Sequence, residues 1–247
     1  MDDGASRDRA SDTTNGMNGC RIIAVDGSAA SGKSTVGKRL AAELGYQFLD
    51  TGIMYRALTV IALQRQLDLH DETQLEALAA SVDMRVELAD PSSEKQSRIC
   101  IDGVDVTDEI RSGPVEKAVS IVSQARPVRA AMVALQREIA GRHPVVMAGR
   151  DIGTVVLSSA DLKLFLDASP DERARRRHKE FEALGRDSSP DAVHDDLARR
   201  DRIDSQRTVS PLRPAADARI IDTEGRSPDE IFREAVALVR EAGGVSR

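Results

Sequence analysis

The chain has 247 residues, with 35 Lys and Arg against 41 Asp and Glu for a formal charge of -6, and four Phe, two Tyr and no Trp. So few aromatic rings exclude a base-stacking platform for single-stranded nucleic acid and an aromatic cage for a quaternary ammonium group. The acidic balance argues against a protein whose affinity comes from neutralising nucleic-acid phosphates.

Cys20 and Cys100 lie far apart and lack metal-ligand spacing, so both read as free buried thiols of a reducing compartment. His70, His143, His178 and His194 form no cluster of the kind zinc requires. No apolar window is long enough to span a bilayer and the first residues lack a signal-like apolar segment, which places the chain in the cytoplasm by elimination.

Residues 1–19 are polar and aperiodic and read as a disordered tail, leaving 20–247 as a single domain. Ile22–Val25 is an unbroken apolar run, the pattern of a strand buried on both faces. From Ser34 onward Val36, Leu40 and Leu44 share one helical face, and Gly45 stops the helix. Tyr46–Leu49 predicts a second strand and Ile53–Leu63 a second helix. Between Met84 and Val106 the rhythm changes to short strands, with an Asp102-Gly103 hairpin signal. This predicts a small antiparallel insert over about 82–119.

Strands return at Val145–Met147, Leu162–Leu166 and Arg219–Ile221, separated mostly by helices. Ser169-Pro170-Asp171-Glu172 and Ser227-Pro228-Asp229-Glu230 predict helix starts with complete capping boxes, and Ser189-Pro190 the same device without the Glu. Alternating buried strands and helices give an α/β fold with a parallel sheet.

The segment Gly27-Ser28-Ala29-Ala30-Ser31-Gly32-Lys33-Ser34 fits GxxxxGK[ST] between a strand and a helix. Its glycines let backbone N–H groups curl around phosphate oxygens, and the helix N-terminus adds a positive dipole end. Lys33 reaches the β- and γ-phosphates and the Ser34 hydroxyl is a ligand for Mg²⁺, so the motif predicts binding of a nucleoside triphosphate. Arg56 and Arg150 follow closely on buried strands, whose carboxyl ends form the ligand crevice of an open sheet. Arg200, Asp204 and Arg207 fall on one helical face and supply fixed charge of the kind phosphoryl transfer uses. The Arg173–Arg177 run, on one capped helix, reads as a lid over the triphosphate.

These segments together resemble the bacterial cytidylate kinases, a family of nucleoside monophosphate kinases. GSAASGKST, LDTGIMYRAL, DGVDVTDEIR, AGRDIGTVV, FLDASPDERARRR and RDRIDSQRTVSPLRPAADA carry the likeness, which runs from about Arg21 to Ala242. The resemblance implies a P-loop nucleoside monophosphate kinase fold with an NMP-binding insert at about 82–119 and a short LID at about 170–190. It implies a monomer that phosphorylates CMP or dCMP with ATP and Mg²⁺, with no nucleic acid or membrane partner.

Carried over by position, Gly27 to Thr35 with Arg173, Arg176 and Arg177 hold ATP. Thr51, Arg56 and Arg150 hold the acceptor's phosphate, Ser120, Arg129 and Asp151 its cytosine edge, and Asp204 its ribose. Arg200 and Arg207 bridge toward the phosphates, so Lys33, Arg150, Arg200 and Arg207 form the catalytic set. The chain departs from the family at Ala148, where a carboxylate is usual, and Asp50 is the substitute the sequence offers. A P-loop kinase with another acceptor, such as UMP, and a non-catalytic nucleotide-binding protein are the alternatives.

Overall fold

The computed structural model describes residues 20–243. The tail read at 1–19 lies outside the described residues. In chain order the elements are β1 (Ile22–Gly27), α1 (Lys33–Leu44), β2 (Gln47–Asp50), α2 (Gly52–Gln64), α3 (Glu72–Ser81), β3 (Met84–Glu87), β4 (Arg98–Ile101) and β5 (Val104–Asp105). They continue with α4 (Gly113–Val122), α5 (Arg126–Arg142), β6 (Val145–Gly149), β7 (Leu162–Asp167), α6 (Pro170–Ala183), α7 (Pro190–Gln206), β8 (Arg219–Asp222) and α8 (Pro228–Ala242). A single π-helical turn, Ile152–Val156, follows β6.

Five strands form a parallel sheet in the order β2-β6-β1-β7-β8. Every residue of β6 is buried, as a parallel strand covered on both faces requires. Val25, Ala148 and Leu164 pack with Val36 and Leu40 of α1 and with Ile231 and Ala235 of α8. Ala24, Leu49 and Met147 face the other way, against Met54 and Leu58 of α2 and Val128 and Met132 of α5. The central strand β1 lies between β6 and β7, so its carboxyl end opens into a crevice where chain direction through the sheet divides.

The second sheet, β3-β4-β5, is antiparallel. Asp102 and Gly103 both take positive φ, 52° and 81°, as the type I′ turn of a two-residue hairpin demands. The antiparallel character ends at Asp105, however, and does not extend to residue 119. Pro114 in the first turn and the buried Val115, Ala118 and Val122 make the end of that stretch an amphipathic helix, α4, packed on α2.

Ser227 and Glu230 complete a capping box, with Ser227 N donating to Glu230 Oε2 at 2.9 Å. At α6 the expected box is only half made. Ser169 caps Glu172 N, but the Glu172 carboxylate turns to Arg175 and Arg176, each at 2.7–2.8 Å. Glu224 takes the Ser169 N–H instead, at 2.8 Å. Of the two thiols, Cys20 is buried as expected, whereas Cys100 is half-buried because its strand is covered on one face only.

Candidate active site

Gly27 sits at φ 151°, and a Cβ there would lie 2.7 Å from Ser31 Oγ and closer still to the Leu166 carbonyl oxygen. Gly32, at φ 93°, precedes α1 and leaves its first N–H groups free of any side-chain cap. The P-loop therefore ends in unsatisfied donors directed at the cleft, as an anion site requires. Lys33 is buried and donates to the Ser28 carbonyl at 2.8 Å. Burial, and next the Arg150 guanidinium, push its ammonium down to about 7, against the opposing pull of Asp50, Asp204 and Asp26.

Ala29, Ala30, Gly32, Lys33, Ser34 and Thr35 line one cleft of about 510 Å³ together with Thr51, Arg56, Ser120, Arg129, Arg150, Asp151, Arg177, Arg200, Asp204 and Arg207. Residues expected from the ends of β1, β2 and β6 and from the helices around them thus face one space. Arg150 Nε donates to Asp204 Oδ2 at 2.8 Å, and Thr51 Oγ1 donates to the Ala148 carbonyl at 3.0 Å. Arg56 is held by the Ile110 carbonyl at 3.4 Å. Burial, then Arg200 and Arg177, push the Arg56 guanidinium down to about 10. This concentration of positive charge favours an anionic ligand.

Arg129 and Asp151 form a buried ion pair, with Arg207 3.6 Å from the other carboxylate oxygen. Arg129 also lies over the Tyr55 ring at 5.6 Å. Among the described residues, Arg129 Nε and one terminal nitrogen of Arg207 are buried without a hydrogen-bond acceptor.

Two lid arginines stand elsewhere than expected. Arg173 bonds Asp201 at 2.7 Å and reaches the carbonyls of Ala168 and Ala29, which fastens α6 to the outside of the P-loop. Arg176 binds Glu172 and Thr223 and does not line the cleft. Only Arg177 of this trio faces it, joined by Arg186 and Arg111, which the sequence did not single out.

Other contributors were also missed. Asp26, at the end of β1, accepts from Ile152 N at 2.8 Å and Gly153 N at 2.7 Å. Burial above all raises its carboxyl to about 6 despite those two bonds. Gln136 of α5 is buried beside Tyr55, and Glu116 of α4 lies among the cleft arginines. Asp26 adjoins Gly27, a sequence signal that was present; Gln136 and Glu116 offered none apart from the helices that carry them.

Ser34 Oγ donates to Asp50 Oδ2 at 2.5 Å. Asp50 is paired in register with Ala148, so a carboxylate on β2 stands beside the alanine on β6. A serine hydroxyl, one carboxylate and phosphate oxygens suit Mg²⁺, which takes few protein ligands and keeps much of its water.

A P-loop at the switch point of a parallel sheet, facing an arginine-lined cleft, defines a P-loop phosphotransferase. The cytidylate kinase family model matches residues 23–241, and the chain belongs to that family. A cytidylate kinase from Geobacillus kaustophilus is 49% identical over 90% of this chain and 97% of its own. Another, from Pelotomaculum thermopropionicum, is 46% identical over the same shares of the two chains. Among solved structures, a gluconokinase from Sinorhizobium meliloti 1021 aligns over 92% of this chain and 95% of its own at a TM-score of 0.44 and 19% identity, a likeness too distant to bear on the substrate.

Proposed function

We propose that this chain transfers the terminal phosphoryl group of ATP to CMP or dCMP, yielding ADP and CDP or dCDP. The observation that carries the choice of acceptor is the buried Arg129–Asp151–Arg207 group in the same cleft as the P-loop. Cytosine offers an amino donor beside acceptor atoms, which a carboxylate next to a guanidinium complements. Uracil presents an acceptor where cytosine has its amine, so it leaves the Asp151 carboxylate unmatched, at about 2 kcal/mol or about 30-fold in selectivity.

An acceptor phosphate oxygen attacks the γ-phosphorus of ATP in line. The new P–O bond forms as the bond to the β,γ-bridging oxygen breaks, and ADP leaves with that electron pair. A phosphate oxygen anion is already a nucleophile, so the residues position and neutralise. Thr51 and Arg56 hold the acceptor phosphate with Arg150, Ser120 joins the cytosine contacts, and Asp204 holds the ribose. Lys33 and the backbone N–H groups of Gly27 to Thr35 hold the donor, while Arg200 and Arg207 stabilise charge on the moving group. Mg²⁺ bound through Ser34, with Asp50 orienting its water, would neutralise phosphate charge.

Arg177 belongs to a LID of about 170–190 that shields the transfer from water, and 82–119 is the NMP-binding part. In this reading Arg173 and Arg176 fix the LID's root. The chain acts as a monomer in the cytoplasm, on small molecules alone; among the described residues no helix is long and apolar enough to cross a membrane.

Arg129→Ala and Asp151→Ala test the reading of the base. Each is expected to lower kcat/KM for CMP far more than for UMP in a coupled ADP-release assay. Equal losses for the two acceptors would remove this group from base selection.

A further inference from the structure

Glu116 is an acidic residue facing the anion site. It lies on α4, whose packing rests on the buried apolar Val115, Ala118 and Val122, so nothing in the helix's own core demands a carboxylate there. Three guanidinium groups from separate segments converge on it. Arg177 of α6 donates to Glu116 Oε1. Arg186, beyond the end of α6, stands 3.5 Å from Oε2, and Arg200 of α7 stands 3.7 Å from Oε1. Arg200 also donates to the Glu116 main-chain carbonyl at 3.0 Å. The Glu116 side chain is only 12% exposed.

Two carboxylate oxygens shared among three guanidinium groups match the charge and donor geometry of a phosphate. Glu116 and all three arginines line the cleft that the P-loop faces. Arg177 also has a second place to rest, bonded to Glu180 at 2.8 Å and lying over the Phe181 ring at 4.4 Å.

We propose that Glu116 is an internal anion that occupies Arg177, Arg186 and Arg200 in the free protein and competes with an entering polyphosphate for them. It thereby sets the enzyme's affinity for its phosphoryl donor. This rests on the cleft being the phosphate site. A buried pair that must be broken for each binding event weakens the apparent affinity by the fraction of molecules in which the arginines are free. Glu116 is a positioning residue, acting through the arginines, and has no part in the chemical step.

The probe is inorganic tripolyphosphate, titrated calorimetrically into the full chain and into Glu116→Gln, which keeps the side-chain volume and removes the charge. Glu116→Gln is expected to bind tripolyphosphate about tenfold more tightly, with KM for ATP falling in parallel and kcat not rising. Glu116→Asp, which retains the anion, is expected to stay within about threefold of the parent. Glu138→Gln removes an exposed charge on α5 and is expected to shift affinity by less than about twofold, because solvent and salt screen it. Unchanged or weaker binding by Glu116→Gln, or an equal gain in Glu138→Gln, would overturn the proposal. Should Glu116→Gln be unstable, the added thermal stabilisation by tripolyphosphate reports the same affinity order. No acceptor is present in these titrations, so failure of the parent to phosphorylate CMP would overturn the acceptor assignment and leave this comparison standing.

Discussion

Lys33 offers a quantitative test of how the P-loop meets its ligand. Burial and Arg150 hold its ammonium at about 7, far below the ordinary lysine value of 10.5. The triphosphate brings several negative charges against that nitrogen and returns it to the charged form. At pH 8 the free lysine carries about 0.1 proton and the bound one about 1, so ATP binding takes up about 0.9 proton per site. At pH 7 the uptake from Lys33 falls to about 0.5, and by pH 6 to about 0.1. Asp26, at about 6, is deprotonated at pH 8 in the free protein, so that pH isolates the lysine. Calorimetric titration at pH 8 in buffers of differing ionisation enthalpy yields the proton count as the slope of binding enthalpy. A slope near zero, or the same slope in Lys33→Met, would refute the reasoning.

Further outcomes follow from the same geometry. Lys33→Ala is expected to collapse turnover in the coupled assay while leaving the fold, read by circular dichroism, intact; near-native activity would remove the P-loop from catalysis. Gly27→Ala is expected to cost about 3 kcal/mol in chemical denaturation, because its Cβ meets the Leu166 carbonyl and Ser31 Oγ at a φ that side chains rarely adopt. Asp26 has a folded value of about 6 against an ordinary 3.8, so its contribution to stability is complete below the lower value and is lost as pH rises through the higher. Asp26→Asn is expected to remove that part of the fall in denaturation midpoint between about pH 4 and pH 6; an unchanged profile would show that Asp26 titrates as an ordinary surface carboxylate.

Features carried by contiguous residues were legible in the chain itself. The P-loop is eight consecutive positions between a buried strand and an amphipathic helix, and Arg200 and Asp204 share a face of α7 by helical periodicity. Arg207, expected on that face, instead follows the last residue of α7 in extended backbone and reaches the cleft from there. What escaped depends on partners distant in sequence. Asp26 is defined by two backbone N–H groups more than a hundred residues away, and Glu116 by arginines on two helices and a loop. The arginines of α6 could not be apportioned from sequence because neighbours on a helix point in different directions, and Arg176 is drawn to Thr223, beyond β8, as well as to Glu172 of its own helix. Within the stretch of about 82–119 the strands end at Asp105, and the residues that follow form α4, whose helical apolar spacing packs it on α2. Asp50 was legible as the substitute for a carboxylate at Ala148, and the sheet pairing sets the two residues side by side.

Acceptor choice is the central claim, and a single panel tests it most directly. Purified protein, ATP and Mg²⁺ are supplied in a coupled ADP-release assay with CMP, dCMP, UMP, AMP and shikimate side by side. The Arg129–Asp151 pairing predicts turnover with CMP and dCMP, UMP lower by about 30-fold in kcat/KM, and no acceptor-dependent signal from AMP or shikimate. UMP or AMP equal to or above CMP, or ADP release that no acceptor stimulates, would contradict it.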